Sequence, residues 1–251
     1  MDFSINTMIF LLSLFFINQF IYANNETTKN TKAFSILIDP GHGGSDSGAI
    51  RNNTIEAEIT YNWSIKLHNL FYESYSSNNI SSWLTRQSNQ TFSLQNRIDL
   101  IQKNKPDLFL SLHANTSNIK SHKGIEIYIS TDDVINSFNF FKNQNTNQLN
   151  NFEYELLHKT SRFGQILKSY RLAQILKNEL YNAHVVIKRA PYYVIQKSYT
   201  PSILLELGFI SNLEESALLS SPSYQDIHLK KIHNAILSYK KETDDNVFTL
   251  E

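Results

Sequence analysis

Four polar residues in this chain of 251 stand where chemistry is possible: His42, Glu56, His113 and Glu206. His42 lies in DPGHGGSDSGAI, where the surrounding glycines let the backbone turn sharply and leave an imidazole uncovered. A glycine-rich loop can also cradle phosphate, but this one lacks G-x-G-x-x-G and GK[ST] and contains no lysine. His113 closes the apolar run of LFLSLHANTS. Taken singly, either histidine could be structural. Glu56 and Glu58 are separated by helix geometry. At about 100° per residue, with Ile59 as zero, Trp63, Leu67, Leu70 and Phe71 fall between about 0° and 120°. Glu56 falls at about 60°, inside that apolar stripe, and Glu58 at about −100°. A carboxylate on an inward face needs a partner, and a metal is one candidate. Glu206 follows four consecutive residues of SILL in SILLELGFISN, in what should be a central strand. Two readings stay open for it: a buried ion pair with Arg86 or Arg189, or a general base whose pKa burial raises.

Two histidines and one glutamate make the ligand set of a hydrolytic zinc with an open fourth position. The H-E-x-x-H signature is absent. There is no cysteine, which excludes disulfides, thiolate metal sites, a cysteine nucleophile and a lipid anchor on cysteine. His68 lies opposite the apolar stripe, and His122, His158, His228 and His233 sit in polar surroundings. His184, close before the last strands, is a reserve candidate.

The elements that must position these residues alternate. AFSILID, from Ala33 to Asp39, is a β-branched run that ends in Pro-Gly and reads as a buried strand. A helix is expected from Glu56 to about Tyr72 and a strand over Ser82–Thr85. A second helix should run from Leu94 to Asn104, stopped by Pro106. Asp107–Leu112 reads as a strand, and Gly124–Ser130 as a strand with one wet face. Arg171–Leu180 and Ile227–Tyr239 read as helices, Tyr192–Ile195 and Ser202–Leu207 as strands. Strands alternating with helices imply a single α/β domain with a twisted, mostly parallel sheet flanked by helices on both faces. In such sheets sites gather at the carboxyl ends of strands, which is where His42, His113 and Glu206 fall.

Apolar residues make up 41% and charged residues 18%, as in ordinary globular proteins, and the formal net charge is zero. A nucleic-acid binder would need a basic excess, so nucleic acid is not an expected partner. Met8–Phe16 (MIFLLSLFF) has the length of a signal-peptide core, so residues 1–23 are expected to be a leader cut near Ala23. A short linker over 24–33, a catalytic domain over 34–241 and a flexible tail over 242–251 complete the expected organisation. Within the domain, 132–162 reads as an Asn-rich insertion with an aromatic cluster at Phe138–Phe141, long for a plain loop.

Taken together, ILIDPGHGGSDSGAI, the helix opening at Glu56, WLTR, DLFLSLHAN, GIEIYIS, the RLAQIL helix and PSILLELGFISN resemble the zinc-dependent N-acetylmuramoyl-L-alanine amidases of the amidase-3 type. The resemblance runs from about Ile36 to Tyr239. It implies one Zn²⁺ held by His42, Glu56 and His113, with Glu206 as the catalytic residue. It further implies cleavage of the amide between N-acetylmuramic acid and L-alanine in peptidoglycan, for wall remodelling or daughter-cell separation, by an exported and most simply periplasmic monomer. In some members an insertion at the place of 132–162 blocks the metal until an activator protein displaces it, so an activator is a candidate partner here. A zinc peptidase of carboxypeptidase type, and a non-catalytic wall-binding protein, remain as alternatives.

Overall fold

The computed structural model describes residues 32–131 and 162–245, except for the side chain of Phe163. The expected leader, most of the linker, the insertion over 132–161 and the end of the tail (246–251) lie outside the described residues. The chain divides between Ala33 and Phe34, and the sheet and its helices all belong to the part from Phe34 onward.

Six strands form one sheet: β1 (Phe34–Pro40), β4 (Ile80–Leu84), β5 (Leu108–Asn115), β6 (Ile125–Ile129), β7 (Val185–Arg189) and β8 (Ser202–Phe209), in the order β4-β1-β5-β8-β6-β7. Strands β4, β1, β5 and β8 are mutually parallel. β6 runs antiparallel to β8, and β7 runs parallel to β6. The sheet is therefore mostly parallel, as expected, with a reversed pair at one side. That reversal places the beginnings of β6 and β7 at the edge where β1, β5 and β8 end.

Helices cover both faces. On one side lie α1 (Glu56–Glu73), α4 (Arg162–Glu179) and α7 (Pro222–Asp244). Their apolar stripes meet Ile36, Ile38, Leu110, Leu112, Ile127 and Leu205 in the larger core. On the other side α3 (Leu94–Asn104) and α5 (Tyr193–Lys197) enclose Leu37, Phe109 and Leu204. The core strands are buried on both sides and read as continuous apolar runs for that reason. The remaining elements are short: the β2 (Ile50–Arg51) and β3 (Thr54–Ile55) hairpin, α2 (Tyr75–Asn78) and α6 (Leu213–Ser220).

Several boundaries differ from expectation, each for a local reason. Tyr192–Ile195 is not a strand: Tyr193–Lys197 is one helical turn that buries Val194 and Ile195. A four-residue apolar run cannot distinguish a period of 2 from one of 3.6. Neither β7 nor α6 is among the expected elements, although Asn212 caps α6 by accepting from the amides of Glu214 and Glu215. The β2–β3 hairpin turns on Asn52 and Asn53, both at positive φ, where asparagine is tolerated. Helix α7 continues through Glu242 to Asp244, and Arg171 donates to both oxygens of Glu242 at 2.8 and 2.9 Å, so the first residues of the expected flexible tail are ordered.

Candidate metal centre

Glu56 is the first residue of α1 and is only 6% exposed, while Glu58 is exposed, in keeping with the helical-face argument. Its Oε1 is met by two imidazoles, His42 Nε2 at 3.1 Å and His113 Nδ1 at 3.0 Å. The backbone amide of Ala114 donates to the same oxygen, and that of Ala49 donates to Oε2 at 2.9 Å. The two rings are nearly perpendicular, with centroids 5.0 Å apart. One ligand atom from each of His42, Glu56 and His113 lies within 4.8 Å of the other two. Such a convergence of two nitrogens and one carboxylate oxygen suits a metal ion.

Each of the three candidate ligands is held by its element. His113 projects from β5 just before a register shift against β8. Gly41 leaves the space that its ring needs, since a Cβ there would stand 2.5 Å from His113 Cε1. His42 adopts a left-handed backbone at φ +59°, costly for a side chain with a Cβ. Arg97 holds that conformation by donating to the His42 carbonyl at 2.9 Å. Beneath the loop, Arg97 also pairs with the buried Asp39, and Arg86 donates to the carbonyls of Pro40, Gly41 and Ala57. Arg86 is therefore a brace of the His42 loop and not the partner of Glu206.

Electrostatics follow from this packing. Burial pushes Glu56 up, but hydrogen bonds from His113 and His42 outweigh it and hold the carboxyl well below the usual range. Burial pushes His42 down, but Glu56 and Asp46 prevail and lift it to about 9. Asp46 is a residue that sequence reasoning missed. Its Oδ2 stands 2.9 Å from His42 Nδ1, and its Oδ1 accepts from the Gly48 amide. A carboxylate on one imidazole nitrogen fixes the ring and turns the other nitrogen toward a metal. The available signal was its place four residues after His42 within the same glycine-rich loop.

Glu206 lies on β8 directly across from His113 in register. It is 8% exposed, and its Oε2 is buried with no hydrogen-bond partner among the described residues. Burial pushes its pKa up to about 7. Arg189 is exposed at the opposite end of β7, so the ion-pair reading of Glu206 has no support in the geometry. His184, the reserve candidate, is exposed, and its carbonyl accepts from the Ile125 amide.

A mixed α/β sheet with two imidazoles and a carboxylate converging at its edge, and a protonatable buried carboxylate beside them, has the make-up of a metallohydrolase. The chain belongs to the N-acetylmuramoyl-L-alanine amidase family, whose sequence profile matches residues 36–238. A Buchnera aphidicola (subsp. Baizongia pistaciae) protein that carries the name "Putative N-acetylmuramoyl-L-alanine amidase" is 32% identical over 210 residues, which cover 81% of this chain and 95% of that one. The crystal structure of an N-acetylmuramoyl-L-alanine amidase from Clostridium difficile 630 matches with a TM-score of 0.65 at 21% identity, covering 84% of this chain and 98% of that one. The CwlD amidase of Clostridioides difficile, solved in complex with the GerS lipoprotein, matches with a TM-score of 0.63 at 23% identity, covering 82% and 98%.

Proposed function

We propose that the protein hydrolyses the amide joining the lactyl group of N-acetylmuramic acid to L-alanine in peptidoglycan, with Zn²⁺ held by His42, Glu56 and His113 and Glu206 as the catalytic acid–base. The observation that carries this reading is the buried Oε2 of Glu206, left without a partner beside a three-ligand cluster. A zinc ion bound there would supply Lewis acidity, polarising the scissile carbonyl and acidifying water. Glu206 takes the proton from the attacking water and returns it to the leaving nitrogen. Burial raises the proton affinity of Glu206, which favours a carboxylate that can take up and give back a proton. Asp46 keeps His42 in the ring orientation that faces the site, and Glu56 is steadied by the amides of Ala49 and Ala114.

Peptidoglycan lies outside the cytoplasmic membrane, and the apolar run of residues 8–16 supports export behind a leader over 1–23; the periplasm, with the cell wall or the medium as the alternative, is proposed by analogy with the family alone. The catalytic domain is taken as 34–241, working as a monomer in wall remodelling or daughter-cell separation. An activator acting on 132–162 is the finer proposal. It is supported by the position of that stretch between β6 and α4, and by the relative solved with a lipoprotein.

The test is digestion of purified peptidoglycan by the protein lacking residues 1–23, with and without a chelator, read by mass spectrometry. Release of intact stem peptides, lost with chelator and restored by zinc, is expected. If only a further deletion of 132–157 releases them, the stretch restrains the enzyme. If zinc binds and neither protein releases stems, the substrate assignment falls.

A further inference from the structure

A second polar cluster adjoins Glu206 on the same face of the sheet, and the mechanism above makes no use of it. Glu126, on β6, lies directly across from Glu206 in the antiparallel register. Side chains so paired share a face with Cβ atoms about 4.5–5.5 Å apart. Both oxygens of Glu126 are occupied. Oε2 accepts from Asn115 Nδ2 at 2.9 Å and from the Tyr128 hydroxyl at 2.6 Å, and Oε1 accepts from Lys188 Nζ at 2.5 Å. Tyr192 stands edge-on to Tyr128 with centroids 4.9 Å apart, and Lys188 Nζ lies 5.8 Å from the Tyr128 ring centroid.

Exposure divides these groups. The Glu126 side chain is 13% exposed, whereas that of Lys188 is 43% exposed. With three donors on it, the carboxylate has little left to offer a ligand. An ammonium carries three protons, and Glu126 engages it from one side only. What the cluster can take up is therefore an anion, received by Lys188 in an orientation that Glu126 sets.

Sheet order says which part of the substrate would meet it. The metal ligands come from the loop after β1, from α1 and from β5. The base comes from β8, and the cluster from β6 and β7, next in line. Glu206 hands its proton to the leaving nitrogen, so the departing peptide lies on the Glu206 side of the scissile bond, toward β6 and β7. In a peptidoglycan stem the residue after L-alanine is glutamate joined through its side-chain carboxyl. Its α-carboxylate is free, or capped as a carboxamide, one residue beyond the bond that is cut.

We propose that Lys188, held by Glu126, forms the subsite for the α-carboxylate of the second stem residue, so that the enzyme distinguishes isoglutamate stems from isoglutamine stems. This rests on the amidase reading and extends it to specificity. The experiment compares one peptidoglycan preparation before and after enzymatic amidation of that carboxylate, with the protein and its Lys188→Gln and Lys188→Arg variants. Wild type should cleave the free-acid form with kcat/KM about tenfold higher, the scale of one hydrogen bond to a charged group. Lys188→Gln should bring the acid-to-amide ratio close to one, through KM more than kcat, and Lys188→Arg should keep the preference. A wild-type ratio near one overturns the subsite while leaving the amidase intact, and that arm needs no variant to fold. A ratio that survives Lys188→Gln also overturns it. If the zinc-loaded protein cleaves neither form, with or without residues 132–157, the amidase reading falls and the subsite with it.

Discussion

At the scale of single residues the proposed mechanism divides the site into groups that hold a metal, groups that orient and one group that reacts. Glu206→Gln keeps the shape but not the basicity, so activity should fall by about 10²–10⁴-fold while metal content stays at the wild-type level. His113→Ala should lose both, and parallel hydrolysis assays and elemental analysis separate the two cases. Asp46→Asn weakens the acceptor on His42 Nδ1 and should lower metal affinity by about 10–100-fold, measured by competition with a chromogenic chelator. An unchanged affinity would reduce Asp46 to a loop contact. Glu206 also leaves a mark on stability. Its folded pKa of about 7 lies above the ordinary 4.5, so the folded state holds a proton that the unfolded state has released. The stability tied to that proton is fully present below about pH 4.5 and is lost as pH rises through about 7, on the order of 3 kcal/mol for a group this buried. In metal-free protein, Glu206→Gln should therefore gain on wild type between pH 5 and pH 8 in urea unfolding. Parallel curves would show that Glu206 is not held protonated.

At the scale of elements, the question is what keeps the loop between β1 and α1 in a strained conformation. Arg97 and Arg86 do so from beneath, one from α3 and one from just past β4, by taking up carbonyls that the turn would otherwise leave unpaired. Arg97 also neutralises Asp39, which is 1% exposed and accepts from Thr85 and Ser111 as well. Arg97→Met leaves that carboxylate buried without its cation and should cost about 3–5 kcal/mol by chemical denaturation. Combining it with Asp39→Asn should recover part of the loss. If the double variant is no more stable than the single one, the damage comes from the lost carbonyl contacts instead. The strand ends in WLT and the helix in LQNRIDL were legible, but no pattern in them shows that both arginines turn toward one loop. That depends on how β4 and α3 pack beside β1.

At the scale of the whole molecule, α1, α6 and α7 are joined at one backbone carbonyl. Trp63 is 1% exposed, and its indole N–H donates to the Leu219 carbonyl at the end of α6 at 2.9 Å. Gln225, near the start of α7, donates to the same carbonyl at 2.7 Å. Trp63→Phe keeps most of the apolar volume and removes one of those donors, so a loss of about 1–2 kcal/mol is expected. A lower denaturation midpoint with an unchanged denaturant slope would confirm that the joint contributes stability without a change in what unfolds. A larger loss with a reduced slope would mean that the helices no longer melt with the sheet.

The order of the main strands and helices from β1 to β6, the burial of Glu56 against the exposure of Glu58, and the meeting of His42 with His113 were within reach of the sequence, because each follows from local periodicity or from where an apolar run stops. The reversal of β6 and β7 was not. Alternation of wet and dry residues in GIEIYIS is the same whichever way a strand runs, and strand direction is decided by which neighbour pairs with it. That direction alone carries Glu126 to the side of Glu206, and β7 then brings Lys188 to Glu126, although 62 residues separate the two in sequence. The choice between an ion-paired and an unpartnered Glu206 was equally a tertiary matter, since it turned on where the arginines point. Local chemistry determined which residues could act, and long-range packing decided which of them share a face and which are left without a partner.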